Sequence, residues 1–456
     1  MPTLLIVMSE HNTPRPTLPF LATLLFFFMT SAIAFTENPL IVAPDGSGTH
    51  TTIQSALDAA PHGGTIHVRP GVYRESLWIS RPVGIFGTDS ARCILETPEG
   101  AAAAIVIMEC GREDGGRVEI RSLTIKGPGR MDRIYTVGFD YIDKDGSVFV
   151  GGIIRDSPAD RTGFPRGDRI TTFDGKPLLF SEMARCIEAW NTAPRSIPIL
   201  LDLGRYSKPM SLMTERLLVP GGWPRGIMII NSHADIGECT VRDMGGDGIW
   251  VGGKEAKASI ISCKALNNRN AGIAVSRGAM AFLTGNICEG NAFGLLVENT
   301  ASVSARRNLG RKNSRSGMMF QGASDGWAQD NQFTDNKGDG ITCSGARTHP
   351  TIVMNTCMKN GRDGISVRDG ASALVRENNI WRNLGNGIGV YGDATRPMLL
   401  RNQARNNELN GIYISDAGGI VEENTCVVNN GGGIHKEGNK VTACFINNTL
   451  DKKAGE

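Results

Sequence analysis

Aromatic residues are scarce in this sequence of 456 residues, where Phe, Trp and Tyr together make up 6%. A surplus of one charge is also missing, because 48 Lys and Arg residues face 46 Asp and Glu residues, which leaves a net charge of +2. We therefore predict neither nucleic acid nor an anionic membrane surface as a partner. Cys and His residues at metal-ligand spacing are absent too, so we predict no metal site and no cofactor. Calcium is the one alternative left open, and no motif supports it.

Glycine is abundant instead, with 57 residues that are not gathered in linker-like runs. Because glycine adopts positive φ at no steric cost, this number predicts an ordered chain with many tight turns. A hydrophobic fraction of 40% is enough for a substantial core. The length exceeds one ordinary domain, unless a repeat lets a single core grow lengthwise.

The N-terminus has the features of a targeting segment. Arg15 precedes an apolar run over residues 18–29, and Ala32-Ile33-Ala34 supplies the small residues of a cleavage site. This pattern predicts a signal peptide over residues 1–34, with an uncleaved anchor as the alternative. No later run is long enough to cross a bilayer. We therefore expect an exported protein, periplasmic or extracellular, without a membrane span after signal removal.

Ten cysteines in an exported chain raise the question of disulfides. Cys288, Cys357 and Cys426 each lie two residues after a repeating asparagine, where other repeats carry Phe, Ile or Ala. This placement indicates an apolar stacking position and predicts free, buried thiols. Cys239 and Cys263 stand at the same level of successive repeats, and one disulfide there is the alternative.

A Gly-apolar-x-apolar motif recurs through the C-terminal half. Its glycines are Gly248, Gly272, Gly294, Gly317, Gly340, Gly364, Gly387, Gly411 and Gly433. They are 24, 22, 23, 23, 24, 23, 24 and 22 residues apart. The alternation after each glycine is strand-like, and this period is too short for two packed helices. We therefore predict short parallel strands in coils stacked about 4.8 Å apart, with the two apolar positions inside and the residue between them outside.

Pairs of asparagines five residues apart run in phase with these glycines. The pairs are Asn286/Asn291, Asn308/Asn313, Asn331/Asn336, Asn355/Asn360, Asn378/Asn383, Asn402/Asn407 and Asn424/Asn429. Asparagine suits tight turns, and stacked asparagines can both donate and accept hydrogen bonds along a column. The pattern predicts two asparagine columns along the stack.

The N-terminal part adds a second signature. Residues 41–48 (IVAPDGSG) are followed by residues 52–60 (TIQSALDAA) and by strand-like segments up to residue 125. Together with the repeats, these motifs resemble the pectate-lyase-like superfamily, including the NosD-like periplasmic repeat proteins. The resemblance implies an all-β fold, a right-handed parallel β-helix whose open end is capped by a short amphipathic helix.

The repeat pattern stops after residue 125 and resumes near Gly226. Residues 157–170 (SPADRTGFPRGDRI) and 173–178 (FDGKPL) resemble the core of bacterial PDZ domains. This resemblance implies an inserted α+β PDZ-like domain, with residues 181–189 as the groove helix. The implied carboxylate-binding loop consists of Thr136, Val137, Gly138 and Phe139. A peptide C-terminus would then add to the sheet edge; the alternative is a spacer that positions or shields the β-helix face.

These observations define the expected domain boundaries. They are a signal peptide at 1–34, the cap and first coils at 37–131, the insert at 132–219, the main β-helix at 220–450 and a tail at 451–456.

Candidate catalytic residues follow from the repeat register. Asp339 and Asp363 precede successive motif glycines, so their carboxylates are expected within about 5–7 Å of each other. That distance suits an acid/base pair or a cation site that binds uronate. Arg368, Tyr391 and His435 lie on the same outward face and could supply a base and a charge-neutralising group. The structural alternative is that Asp before Gly only builds a turn, because Asn386 and Asn410 occupy the next two equivalent positions.

Two functions remain open on the sequence alone. The first is an exported protein that acts on or binds polysaccharide, by lyase, epimerase or hydrolase chemistry if it is an enzyme. The second is a non-catalytic envelope scaffold or adhesin-like interaction protein. The Asp-Pro-His motif of alginate epimerases and the paired-aspartate segments of polygalacturonases are missing. The resemblance therefore implies the fold and not a particular mechanism.

Overall fold

The computed structural model describes residues 39–98, 101–111, 115–129, 134–136, 139–144, 147–153, 157–163, 168–173, 176–178, 196–202, 207–213, 215–217 and 224–450. The predicted signal peptide, Val137, Gly138, the predicted groove helix at 181–189 and the tail lie outside these residues. Among the helices that the structure describes, none has the length and apolar character needed to cross a membrane.

Three parallel sheets dominate the described chain. Sheet 1 contains the strands Leu40–Val42, Gly64–Val68, Val83–Gly87, Val118–Arg121, His233–Gly237, Lys257–Ile261, Met280–Thr284, Ser302–Arg306, Asp325–Gln329, Thr351–Val353, Leu374–Arg376, Met398–Leu400, Ile420–Glu422 and Cys444–Ile446. Sheet 2 contains Gly71–Arg74, Cys93–Glu96, Thr124–Lys126, Thr240–Arg242, Lys264–Leu266, Ile287–Glu289, Leu309–Arg311, Gln332–Thr334, Thr356–Met358, Asn379–Trp381, Gln403–Arg405, Thr425–Val427 and Thr449–Leu450. Sheet 3 contains Leu77–Ile79, Ala103–Met108, Arg225–Ile230, Ile249–Gly252, Ala271–Ser276, Phe293–Val297, Met318–Gln321, Ile341–Ser344, Ile365–Arg368, Ile388–Tyr391, Asn410–Ser415 and Gly432–Glu437.

In the repeat region, each coil contributes one strand to every sheet in the order 1, 2, 3, and equivalent residues of successive coils pair in register. Ile249 pairs with Ile273, and Ile273 with Leu295. The chain is therefore a parallel solenoid with coils of about 23 residues, as the glycine period predicted.

Inward-facing side chains form one continuous core. Ile249 and Val251 are buried in it, and so are Ile273 and Val275 one coil further on. The column that contains Cys288, Cys357 and Cys426 faces the same core, which confirms the predicted stacking position. The nine described cysteines form no disulfide, and among them only Cys444 is exposed.

The asparagines form two columns of buried side chains, here called the asparagine ladders. In the first ladder, Asn355 Nδ2 donates to Asn378 Oδ1 over 3.1 Å and to the carbonyl oxygen of Ala328 over 2.8 Å. Asn355 Oδ1 accepts from the backbone N–H and the side-chain amide of Asn331. The second ladder repeats this pattern, for example between Asn360 and Asn383. Both predicted columns are confirmed.

A short helix, Ile53–Ala59, lies at the N-terminal end of the core. Thr52 caps it by accepting a hydrogen bond from the N–H of Ser55, and Ile53 and Leu57 are buried in the main core. Glu75 accepts hydrogen bonds from the N–H groups of the first helical turn. The helix therefore covers the first coil, where apolar side chains would otherwise meet solvent.

The insert interrupts the chain but not the solenoid. Sheet 3 strands on either side of it pair directly, with Ile105 opposite Ile227. The insert leaves at the turn from sheet 2 to sheet 3. Its described elements are the antiparallel pair Ile134–Thr136 and Glu215–Leu217, the antiparallel sheet strands Phe139–Lys144, Ser147–Ile153, Arg169–Phe173, Lys176–Pro177, Ser196–Asp202 and Ser207–Met213, and the helix Pro158–Arg161.

The insert shares an apolar cluster with the outer face of sheet 3. Val148, Ile170 and Ile197 of the insert belong to the same cluster as Met228 and Trp250, which point outward from the solenoid. Trp250 is only 4% exposed as a result. The N-terminal half of this outer face is therefore covered.

Candidate functional site

The outer face of sheet 3 changes character along the solenoid. One column of outward residues pairs coil by coil through Met228, Trp250, Ala274, Leu296, Met319, Thr342, Ser366, Gly389, Tyr413 and His435. The column is apolar and belongs to or packs against the covered cluster up to Met319. From Thr342 onward it is polar, apart from Gly389, and there the surface sinks into a depression of about 530 Å³.

This site depression gathers four of the five predicted catalytic residues. It is lined by Asp339, Gly361, Arg362, Asp363, Ser366, Arg368, Asp369, Gly385, Asn386, Tyr391, Gly392 and Leu409. Asp339 and Asp363 come from the turns between sheets 2 and 3, whereas Ser366, Arg368 and Tyr391 belong to sheet 3 strands. His435 does not line the depression.

Asp363 uses its two carboxylate oxygens for different purposes. Oδ1 accepts hydrogen bonds from the backbone N–H of Asn386 at 2.7 Å and from its side-chain amide at 3.1 Å. Oδ2 accepts a 2.6 Å hydrogen bond from the Tyr391 hydroxyl. One oxygen therefore joins successive coils, and the other forms a carboxylate–phenol pair at the depression.

Asp339 follows the same rule one coil earlier. Its Oδ1 accepts from the backbone N–H of Asp363 at 3.2 Å, and its Oδ2 accepts from the Thr342 hydroxyl at 2.8 Å. Asn386 Oδ1 in turn accepts from the N–H of Asn410 at 3.0 Å. Oδ1 of each aspartate therefore has the structural role that the alternative interpretation of Asp before Gly proposed. Oδ2 of each aspartate accepts from a different residue, Thr342 for Asp339 and Tyr391 for Asp363.

Two arginines lie at the depression. Arg368 Nη2 lies 3.7 Å from Asp339 Oδ2, and its Nε lies 4.0 Å from Asp369 Oδ2. Both contacts are long for a charge-assisted hydrogen bond. Arg362 lines the depression as well and lies close enough to Asp339 to stabilise its charge. The Arg368 guanidinium can therefore turn toward an anionic ligand at low cost.

Burial perturbs the proton affinities of these groups. Burial raises the pKa of the Asp363 carboxyl to about 6, the negative charge of Asp339 adds to the increase, and the Tyr391 hydrogen bond opposes it. Burial also raises the pKa of Asp339, against the hydrogen bond from Thr342. The pKa of Tyr391 is raised by burial and by the Asp363 charge. At neutral pH the pair therefore consists of a carboxylate and a protonated phenol.

Gly389 makes room for the Asp363–Tyr391 pair. A Cβ atom at this position would collide with Asp363 Oδ2 and with the Tyr391 ring and hydroxyl. The depression therefore needs a residue without a side chain here, although the neighbouring coils carry Ser366 and Tyr413 at the same position.

Aromatic rings continue the site toward the C-terminal end. The ring centroids of Tyr391 and Tyr413 lie 5.6 Å apart. His435 is exposed and stacks on Tyr413 with centroids 5.8 Å apart and an interplanar angle of 3°. Tyr413 donates a hydrogen bond to Glu437, which raises the pKa of the Tyr413 hydroxyl. His435 thus extends a flat ring surface away from the aspartates.

Part of the chain matches a known protein family. Residues 225–353 and 294–450 match the family model described as the right handed beta helix region. Residues 225–450 form a right-handed β-helix. No curated protein matches the sequence.

Solved structures that are similar to this chain include two epimerases and a tailspike protein. The periplasmic alginate epimerase AlgG is 13% identical, with 86% of this chain and 83% of that chain covered and a TM-score of 0.48. The A-module of the Azotobacter vinelandii mannuronan C-5 epimerase AlgE6 is 14% identical, with 87% and 93% covered and a TM-score of 0.42. The Dettilon tailspike protein is 13% identical, with 89% and 66% covered and a TM-score of 0.49. Such low identities and TM-scores carry no weight for the activity of this β-helix.

The sequence patterns missed three parts of the site. Arg362 lies in the turn beside Asp363, Ser366 is buried at the wall of the depression, and Gly389 leaves room for the Asp363–Tyr391 pair. The coil register contained the signal for Ser366 and Gly389, because both occupy the outward column. Within the part of the chain that the structure describes, no three His, Cys, Asp or Glu residues are placed to hold a metal ion.

Proposed function

We propose that this protein is an exported β-helix protein that binds an acidic polysaccharide and acts on it by proton transfer at the Asp363–Tyr391 pair. The observation that supports this proposal is a buried carboxylate, hydrogen-bonded to a phenol over 2.6 Å, in a depression that also contains two arginines. Strongly perturbed carboxyl groups beside a specific partner in a concave site are typical of acid–base catalysis.

The arginines suit the carboxylate of a uronate residue. Arg368 and Arg362 each present a planar fork of donors that matches a carboxylate. The present contacts of Arg368 with Asp339 and Asp369 are long. Neutralising the charge of a uronate carboxylate also acidifies the proton on the carbon next to it, which is the proton that lyases and epimerases remove.

The Asp363–Tyr391 pair can accept that proton in a balanced step. The substrate C–H bond breaks, its proton moves to the Tyr391 oxygen, and the phenol proton moves to Asp363 Oδ2. The electron pair stays on the substrate, next to the carboxylate held by the arginines. In elimination, the electron pair on the substrate forms the new C=C bond as the C–O bond breaks, and the departing glycosidic oxygen takes a proton from Tyr391, which regains one from Asp363. In epimerisation, a water molecule on the opposite face gives a proton to the carbon, and the hydroxide that forms takes up, through solvent, the proton held by Asp363.

Hydrolysis by Asp339 and Asp363 is less well supported. A glycosidase needs two carboxyl groups free to face the sugar from opposite sides. Asp339 directs one oxygen to the Asp363 N–H and the other to Thr342. The geometry therefore favours proton abstraction over glycoside hydrolysis.

A screen against uronate polymers tests the proposal. The mature protein is incubated with alginate, polygalacturonate and other polyuronates in D₂O. Elimination produces unsaturated ends that absorb ultraviolet light, epimerisation exchanges the ring proton for deuterium, and hydrolysis produces only reducing ends. We expect one of the first two signals for wild type and none for D363N or Y391F. The proposal fails when no polymer is bound or changed.

Non-catalytic polysaccharide binding is the second candidate function. It is favoured by the ring surface of Tyr413 and His435, which lies beside the depression and suits stacking on sugar rings. Calorimetric binding of a polymer without any chemical change, and without loss of binding in D363N, would support this scaffold or adhesin-like function.

For the insert we propose a PDZ-like domain that binds a peptide C-terminus by strand addition. The strand Phe139–Lys144 lies at the edge of the insert sheet, where the described strands leave one side unpaired. Thr136 pairs with Glu215 in the antiparallel pair at the base of the insert. Binding to a library of C-terminal peptides, with G138W as the blocked control, tests this proposal; equal binding by both proteins contradicts it.

A further inference from the structure

Ser366 has a buried hydroxyl group without a protein partner. Its Oγ makes no hydrogen bond to any residue that the structure describes, and the residue is 1% exposed. The same residue lines the site depression. Buried hydroxyl groups are normally paired, because an unpaired one costs folding free energy.

The neighbours of Ser366 show that the missing partner is particular to this position. One coil earlier, the Thr342 hydroxyl donates to Asp339 Oδ2 and shares a 2.8 Å hydrogen bond with Ser316. One coil later, the place of a side chain at Gly389 is filled by Asp363 Oδ2 and by the ring and hydroxyl of Tyr391. Ser366 therefore lies in the column between two sets of paired polar groups, and it lines the depression while its own hydroxyl is unpaired.

The charges of the site decide which ligand group can enter. Two buried aspartates border the depression, and an anionic group that approached them would be repelled. A hydroxyl group can donate to Asp363 Oδ2 and at the same time accept from Ser366 Oγ. A carboxylate on the same sugar is better placed near Arg362 and Arg368.

We propose that Ser366 is a specificity-determining residue that binds a ring hydroxyl of a hexuronate. The sugar enters the depression with this hydroxyl first, and Arg362 and Arg368 hold its carboxylate. This inference rests on the proposed function and adds the orientation and class of the sugar. A ligand that satisfies Ser366 removes a penalty that the free protein carries.

Ser324 offers a matched control. Its Oγ is also buried and without a partner among the described residues, but it lies outside the depression. S366A and S324A both remove an unpaired buried hydroxyl, so both should raise the midpoint of thermal unfolding. Only S366A should weaken binding of a uronate trimer, by about tenfold for one lost hydrogen bond. S366T should restore most of the affinity.

The measurements are calorimetric titrations with trimers of mannuronate, guluronate and galacturonate, and with neutral trimers that carry a hydroxymethyl group in place of the carboxylate. Weaker binding of the uronate trimer by S366A, with S324A unchanged, supports the inference. Equal binding by wild type, S366A and S324A overturns it while the proposed function stands. A wild type that binds no uronate trimer overturns both. An S366A variant that unfolds below the wild-type temperature shows that the hydroxyl has a partner within the protein, which also overturns the inference.

Discussion

The raised pKa of the Asp363 carboxyl makes the stability of the folded chain depend on pH. Its pKa is about 6 in the folded chain and has its ordinary value of 3.8 once burial is lost. Between these values the folded chain keeps a proton that the unfolded chain has released. The free energy of unfolding therefore falls as pH rises from about 4 to about 6, and it stays lower above pH 6.

D363N should remove this loss of stability at higher pH. The amide can still accept the Asn386 N–H, as Asn386 itself does for Asn410. We expect D363N to be more stable than wild type at pH 7 by roughly 2–3 kcal/mol, and about equally stable below pH 4. Urea denaturation at several pH values measures the difference. D330N, at an exposed turn, serves as the control for the substitution itself. A pH-independent difference in D363N would contradict the assignment.

Tyr391 determines the pH range over which the free energy of unfolding falls. Its hydroxyl lowers the pKa of Asp363 by donating to Oδ2, against the larger effect of burial. In Y391F the pKa of Asp363 should therefore rise above about 6, and the pH range over which stability falls should move upward. The stability difference between Y391F and a Y391F/D363N double variant, measured against pH, gives this shift. Y413F is the control. It removes a hydroxyl that donates to Glu437, so it should leave this pH range unchanged.

At the scale of the element, the asparagine ladders decide how firmly successive coils are joined. Asn355 lies in the middle of one ladder and is fully buried. N355A removes the acceptor of the Asn331 backbone N–H and side-chain amide, and it removes the amide that donates to the Ala328 carbonyl and to Asn378 Oδ1. Each unsatisfied buried group costs about 1–3 kcal/mol, so we expect a loss of roughly 3–5 kcal/mol.

The last rung provides the comparison. Asn448 is partly exposed, where water can replace its lost hydrogen bonds. N448A should therefore cost about 1 kcal/mol or less. Denaturant titration of both variants distinguishes the two positions. Equal losses would mean that the ladder does not act through buried hydrogen bonds.

The regular spacing that builds these ladders also made part of the site predictable from the sequence. A constant spacing of Gly and Asn sets the coil register, and the register alone brings Asp339, Asp363, Arg368 and Tyr391 to one place. Their catalytic role stays a prediction. The separate tasks of Oδ1 and Oδ2, and the unpaired hydroxyl of Ser366, depend on side-chain contacts that no spacing encodes. The sequence for that reason favoured a purely structural interpretation of Asp before Gly.

At the scale of the whole molecule, the insert and the site depression divide one face of the β-helix. The insert leaves at the turn between sheets 2 and 3, the same turn that carries Asp363 six coils later. Six coils span roughly 29 Å at about 4.8 Å each. The outer column is apolar where the insert packs and polar beyond it. The insert therefore bounds the open face at its N-terminal side, which fits a shielding or positioning role for the domain.

Removing the insert should expose the apolar half of this face without breaking the solenoid. Joining Lys126 to Gly226 through a turn copied from residues 359–363 keeps the direct pairing of Ile105 with Ile227. Met228 and Trp250, both buried now, would then face solvent. We expect the deletion variant to self-associate and to bind a hydrophobic dye, as exposed apolar patches do.

A second deletion variant that also carries M228T and W250T separates exposure from misfolding. Threonine suits an exposed strand position, so this protein should be monomeric by light scattering and bind little dye. Because the site depression lies on later coils, both deletion variants should retain the uronate binding of the full chain. A deletion variant that stays monomeric without the threonines would show that the insert does not cover this face, and loss of uronate binding in the monomeric variant would place part of the ligand contact on the insert.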